Sequence, residues 1–71
     1  MNIKRLAYHY AQIDLGTYEC VACFTCSYEI NHVEFVAVPS YRSSYVGTYY
    51  NPADGLFYFE PEYITVFDPE A

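Results

Sequence analysis

Apolar and polar positions alternate over short stretches of this chain, and turn residues separate the stretches. From Cys20 onward the even positions Cys20, Ala22, Phe24, Cys26, Tyr28 and Ile30 are apolar or aromatic, while the odd positions include Thr25, Ser27 and Glu29. A period of two is that of a half-buried strand, so residues 20–30 predict a strand with its even face inward. Residues 6–14 predict an earlier strand of less regular pattern. Residues 33–38 carry Phe35 and Ala37 on one side and Val36 and Val38 on the other, which predicts a strand covered on both faces. Pro39 ends it, because proline cannot donate to a ladder.

Turns fall at Asp14-Leu15-Gly16-Thr17, Asn31-His32, residues 39–44, residues 51–55 and Glu60-Pro61. Residues 47–59 predict a hairpin. Pro52 presets φ for its turn, Asp54 can bond nearby backbone, and Gly55 supplies the positive φ of a bulge. Tyr63-Ile64-Thr65-Val66-Phe67 predicts one more short strand, and residues 68–71 a frayed end. No segment is long and periodic enough for a stable helix. The expected fold is all-β: a small antiparallel meander of four or five short strands with a C-terminal β-hairpin. Residues 1–71 form one domain, with its core at about residues 6–59 and an acidic extension at 60–71.

Length and composition sharpen this picture. A chain of 71 residues hides only about 60% of the surface its extended form exposes, so it gains from a metal, a disulfide or a partner. Aromatics make up 21% of it, ten tyrosines and five phenylalanines without a tryptophan. A core this small cannot hold them all, so some tyrosines face water or a partner. Nine acids against three cations leave a net charge of −6 and a pI near 4.4, which disfavours phosphate backbones as partners. The first ten residues lack the continuous apolar stretch of a secretory signal.

Cys20-x-x-Cys23-x-x-Cys26, with His9 or His32, offers ligand types for zinc or an iron–sulfur cluster. Zinc knuckles place such pairs on tight polar turns, whereas Val21-Ala22 and Phe24-Thr25 are strand formers. On a regular strand Cys20 and Cys26 share a face about 20 Å apart and Cys23 points the other way, so the expectation is packing cysteines, no metal and no cofactor. An odd, closely spaced set of thiols also suits synthesis in a reducing cytosol. Cys23, His9, His32 and Asp14 supply the letters of a hydrolytic site, but no nucleophile elbow or phosphate-cradling glycine loop accompanies them. The expectation is a protein without enzymatic activity or a small-molecule substrate.

Residues 41–51, Tyr-Arg-Ser-Ser-Tyr-Val-Gly-Thr-Tyr-Tyr-Asn, have the composition of a binding loop: rigid tyrosines for contact area, Ser and Asn for adaptable hydrogen bonds. Tyr41, Arg42, Tyr45, Tyr49 and Tyr50 are the candidate protein-interface residues. The competing reading is that alternate tyrosines pack across the hairpin as cross-strand pairs.

Tyr45-Val46-Gly47-Thr48-Tyr49-Tyr50-Asn51-Pro52-Ala53-Asp54-Gly55-Leu56-Phe57-Tyr58 resembles the ending of many small tailed-bacteriophage proteins, (Leu/Val)-Gly-x-x-Tyr-(Asn/Asp)-x-x-(Asp/Asn)-Gly-x-(Phe/Trp). Tyr10-Ala11-Gln12-Ile13-Asp14 is similar to their opening, and Val36-Ala37-Val38-Pro39-Ser40-Tyr41 to their middle strand. The cysteine strand and the segment after Phe59 depart from the pattern. The resemblance implies a structural or accessory protein of the virion, in tail, baseplate or fibre, made in the host cytoplasm and present in many symmetric copies. Its partners would be larger phage structural proteins, with no nucleic acid and no membrane. The alternative is a small acidic phage inhibitor of a host defence or host enzyme.

Overall fold

A computed structural model describes residues 7–69. It holds five strands, β1 (Tyr8–Ile13), β2 (Cys20–Cys26), β3 (Phe35–Val38), β4 (Tyr49–Asn51) and β5 (Leu56–Tyr58), with one 3-10 turn at Ser43–Tyr45. All strand pairs are antiparallel, so the chain is all-β as its alternation predicts. β1 lies between β2 and β3, and β4 pairs with β5. The sequential order of a meander holds for β1–β2 and for β4–β5, whereas β3 passes β2 and joins the free edge of β1, aligning His9 with Val38 and Gln12 with Phe35.

Backbone bonds sew the two sheets together at one corner. Cys20 N–H donates to Thr48 O at 2.7 Å, Gly47 N–H to Cys20 O at 2.9 Å and Tyr50 N–H to Tyr18 O at 2.9 Å, and Glu19 bridges Tyr49. On the far side of β5, Tyr58 bridges Val66. The ladder therefore runs β3, β1, β2, β4, β5 and then residues 65–67. Among the described residues it is one rolled sheet whose two outer edges, β3 and residues 65–67, do not pair with each other.

The interior of the roll holds Ala11, Ile13, Cys20, Val38, Tyr45, Phe57 and Phe67, with Tyr18, Cys23, Val36 and Tyr50 half-buried against them. Each large apolar side chain removed from water here stabilises the fold by about 1.5–3 kcal/mol. Tyr45 stacks edge-on against both Phe57 and Phe67, ring centroids 4.9 and 5.1 Å apart. The opposite face of the three-stranded part carries a second cluster, Tyr10, Phe24 and Phe35, with centroids 5.5–6.3 Å apart. Residues 27–34 lie over it, and Ile30 N–H donates to the Tyr10 hydroxyl at 2.8 Å. β3 is thus covered on both faces, although Ala37 stays exposed.

The cysteine faces differ from those a regular strand gives. The β1–β2 register shifts between Gln12, opposite Ala22, and Ile13, opposite Cys20. Val21 is the extra residue of this bulge and is exposed. A bulge reverses the phase of alternation, so Cys20 shares the core face with Cys23, and Cys26 lies with Phe24 on the other. The even-face reading of residues 20–30 holds only from Ala22 onward, and the strand ends at Cys26.

The hairpin follows its turn chemistry. Asn51 O accepts from Gly55 N–H at 2.8 Å, the Asn51 side chain accepts from Ala53 N–H and Asp54 Oδ1 from Leu56 N–H, and Gly55 has φ of 76°. The segment 63–67 differs from the strand predicted for it. Tyr63 has φ of 61° and Glu60 Oε1 accepts from the N–H groups of Ile64 and Thr65, so residues 60–65 curl and only a bridge remains. Phe67 is nonetheless buried in the main core, which extends the core beyond residue 59. The start of the first predicted strand at Leu6 and the end of the tail lie outside the described residues.

Candidate docking surface

The five tyrosine and arginine positions of the predicted interface do not share one surface. Tyr41 is 48% exposed and Arg42 is exposed; the Arg42 guanidinium donates to the carbonyls of Pro69, at 3.0 Å, and Tyr41. Tyr45 is 2% exposed. Its place among the interface residues is corrected: the 3-10 turn drives its ring into the roll, where Thr48 holds the turn by donating its hydroxyl to Tyr45 O at 2.6 Å. Tyr49 and Tyr50 are half-buried neighbours on β4 and point to opposite faces. Tyr50 packs on Phe57 at 5.0 Å, and its carbonyl accepts from the Tyr63 hydroxyl at 3.0 Å. Cross-strand packing therefore accounts for Tyr50, while Tyr41 and Arg42 remain on the outside.

The surface feature next to them is a groove of about 190 Å³ along the open side of the roll. Val36, Ala37, Val38 and Pro39 form one wall, and Leu56, Phe57, Phe67 and Pro69 the other, with Tyr45 between them. The lining is mainly apolar. Leu56 in this lining is exposed, and so are Phe59, Ile64 and Val66 further along the chain. Sequence reasoning missed Ala37 and Leu56, because alternation assigns residues to faces and cannot say that two edges of one rolled sheet will stand opposite each other. Pro39 and Pro69 were the available signal, since each denies its edge a donor.

Two of the three thiols and both imidazoles are engaged elsewhere, and Cys23 packs against the core. Cys20 Sγ donates to Ala22 O at 3.3 Å, and burial pushes its pKa up to about 11, so it stays protonated and unreactive near neutral pH. Cys26 Sγ donates to Tyr28 O. His9 bonds Thr25 at 2.9 Å, His32 lies 3.6 Å from Glu34, and Asp14 accepts from Gly16 N–H. Among the described residues no three His, Cys, Asp or Glu side chains gather where they could hold an ion, and no helix is long and apolar enough to cross a membrane. Burial, not a charge, sets the one large shift, which is the pattern of a packing residue. The other shifts belong to the hairpin end: the Asp54 carboxylate beside its hydroxyl raises Tyr58, and the Thr65 N–H lowers Glu60.

No protein-family model, curated protein or solved structure matches this chain.

Proposed function

We propose that this chain is a non-enzymatic bacteriophage virion structural or accessory protein that docks on a larger assembly. The observation that carries the docking part is an open, mainly apolar groove with the exposed Leu56 in its lining. Contiguous exposed apolar surface on a small domain marks an interaction site. Tyr41 and Arg42 stand beside it as the rigid aromatic and the planar cation that enrich such contacts. The virion part rests on the resemblance of residues 8–59 to small tailed-phage proteins, and the bulk of a virion would supply the burial that a 71-residue chain lacks.

Mass-spectrometric inventory of purified virions tests this reading. The chain is expected among the stoichiometric components, and Tyr41→Ala combined with Leu56→Ala is expected to weaken incorporation by about 1–3 kcal/mol, the size of an interface anchor, with the unfolding midpoint little changed. A chain abundant in infected cells but absent from virions overturns the reading and favours the acidic inhibitor, whose binding should fall steeply with salt.

A further inference from the structure

One wall of the groove is β3 with Pro39, and the outer edge of that strand has backbone hydrogen-bonding groups turned away from β1. Ile13 N–H donates to Glu34 O at 2.8 Å. The β1–β3 register aligns Ala11 with Val36 and His9 with Val38, in step with that bonded pair. In an antiparallel ladder, directly bonded pairs alternate with pairs whose N–H and C=O groups point away. Val36 and Val38 therefore direct theirs to β1, and Phe35 and Ala37 direct theirs to the free edge. Phe35 N–H is taken by His32 O at 3.1 Å, which leaves Ala37 with both groups facing outward. The pattern recurs next to the far wall, at a residue that does not itself line the groove. Phe59 N–H donates to Thr65 O and Phe67 N–H to Phe57 O, so Val66, between them and opposite Tyr58, turns its own N–H and C=O away from β5.

The geometry points to strand addition: the seam between β3 and residues 65–69 accepts an extended, lysine- or arginine-bearing segment of a partner protein. That segment pairs its backbone with Ala37 and lays alternate apolar side chains on Val36, Val38, Leu56 and Phe67. This inference deepens the docking reading by naming the partner's chemistry, and it rests on that reading. An extended backbone is the occupant because a free edge asks for N–H and C=O partners at strand spacing, which a helix face cannot offer. Exposed Ala37 adds no side-chain barrier to its approach. The charge follows from the chain's −6, with Asp54, whose carboxylate accepts from Leu56 N–H and the Tyr58 hydroxyl, next in sequence to the lining residue Gly55. A second copy would bring another −6 to the seam, and the Pro39 that ends each β3 edge would limit pairing between two of them.

The test uses the ¹⁵N-labelled full chain and a capped hexapeptide of alternating lysine and valine. Expected are chemical-shift changes at residues 36–39 and slowed exchange of the Ala37 N–H. Affinity should fall at least tenfold when a central valine is N-methylated, and at least tenfold when glutamate replaces lysine. Ala37→Pro should abolish binding and keep the fold, since that N–H is not bonded to β1; should it unfold the chain, Leu56→Lys, at an exposed wall position, should weaken the lysine peptide at least tenfold. Shift changes confined to other residues, no binding, or equal binding of the N-methylated or glutamate peptide would overturn the inference. So would a concentration-dependent dimer with Ala37 N–H protected in the absence of peptide, which would make a second copy the occupant. A chain found in virions that ignores the peptide keeps the virion reading and sinks this one; a chain that binds the peptide as described but is absent from virions does the reverse.

Discussion

Two corners of the rolled sheet face the same problem, bringing two strand edges together, and reach opposite outcomes. At the corner between β2 and β4 the edges are sewn by bonds among Cys20, Thr48, Gly47, Tyr18 and Tyr50. At the corner between β3 and residues 65–69 they stand apart across an apolar groove. The first corner has what close backbone approach requires. Cys20 is small, its thiol is buried in the core, and Gly47 takes φ of 95°, a conformation that a residue with a Cβ reaches only under strain. The second corner has Pro39 on one edge and Pro69 on the other, each without a donor, and the curl of residues 60–65 leaves too little straight strand to pair. The roll is thus closed where small residues and glycine permit it and open where proline forbids it.

The largest test of this contrast lies in the side chain that both corners share. Tyr45 is packed inside the roll and also lines the groove, and Tyr45→Ala is expected to cost about 3–5 kcal/mol, most of what a small domain has. Loss of near-UV circular dichroism and a lowered urea midpoint would show it. A cost below about 1 kcal/mol, the range of surface changes, would return Tyr45 to the list of interface residues. Next, Cys20→Leu overpacks the sewn corner and should cost about 1–3 kcal/mol, whereas Cys26→Leu on the other face should stay within about 0.5 kcal/mol. Equal effects would mean that the bulge does not set the thiol faces.

An effect of similar size comes from the hairpin that supplies one wall of the groove. Gly55→Val at positive φ should lower stability by about 1–3 kcal/mol, and Ala53→Val by less than about 0.5 kcal/mol, compared by thermal unfolding. The last is a pH dependence, with no effect near neutral pH. The folded state holds the Cys20 thiol protonated up to about pH 11, against an ordinary value of 9.0. Its contribution is present in full below pH 9 and is lost as pH rises from there through 11, because the unfolded chain ionises first. Cys20→Ala should flatten the fall of stability over that window; an unchanged slope would place the thiol in water.

Much of this architecture was legible in the chain. β1, β3 and the hairpin fall where turn residues and apolar runs put them, and Gly55 has the backbone its place in the turn demands. These are local matters, decided within a few residues. What was hidden is non-local. The bulge at Val21 exists because Cys20 must serve β1 and β4 at once, and nothing within β2 announces that double duty. Tyr45 sits in a 3-10 turn, where a period of two has no meaning, so its tyrosine chemistry suggested a surface while packing put it in the core. Phe67 closes that core from outside the hairpin, a contact that depends on how residues 60–65 curl. Tyr41 and Arg42 were readable as exposed, but the groove beside them arises from two edges far apart in sequence.

Native-state hydrogen exchange followed by NMR on the free, monomeric protein tests the open seam most directly. The amides of Cys20, Gly47 and Tyr50 should exchange slowly, protected by the sewn corner, while those of Ala37 and Val66 should exchange at nearly the rate of unstructured peptide. Protection of Ala37 and Val66 equal to that of Gly47 would mean that the roll is closed on both sides and that no seam is available to a partner.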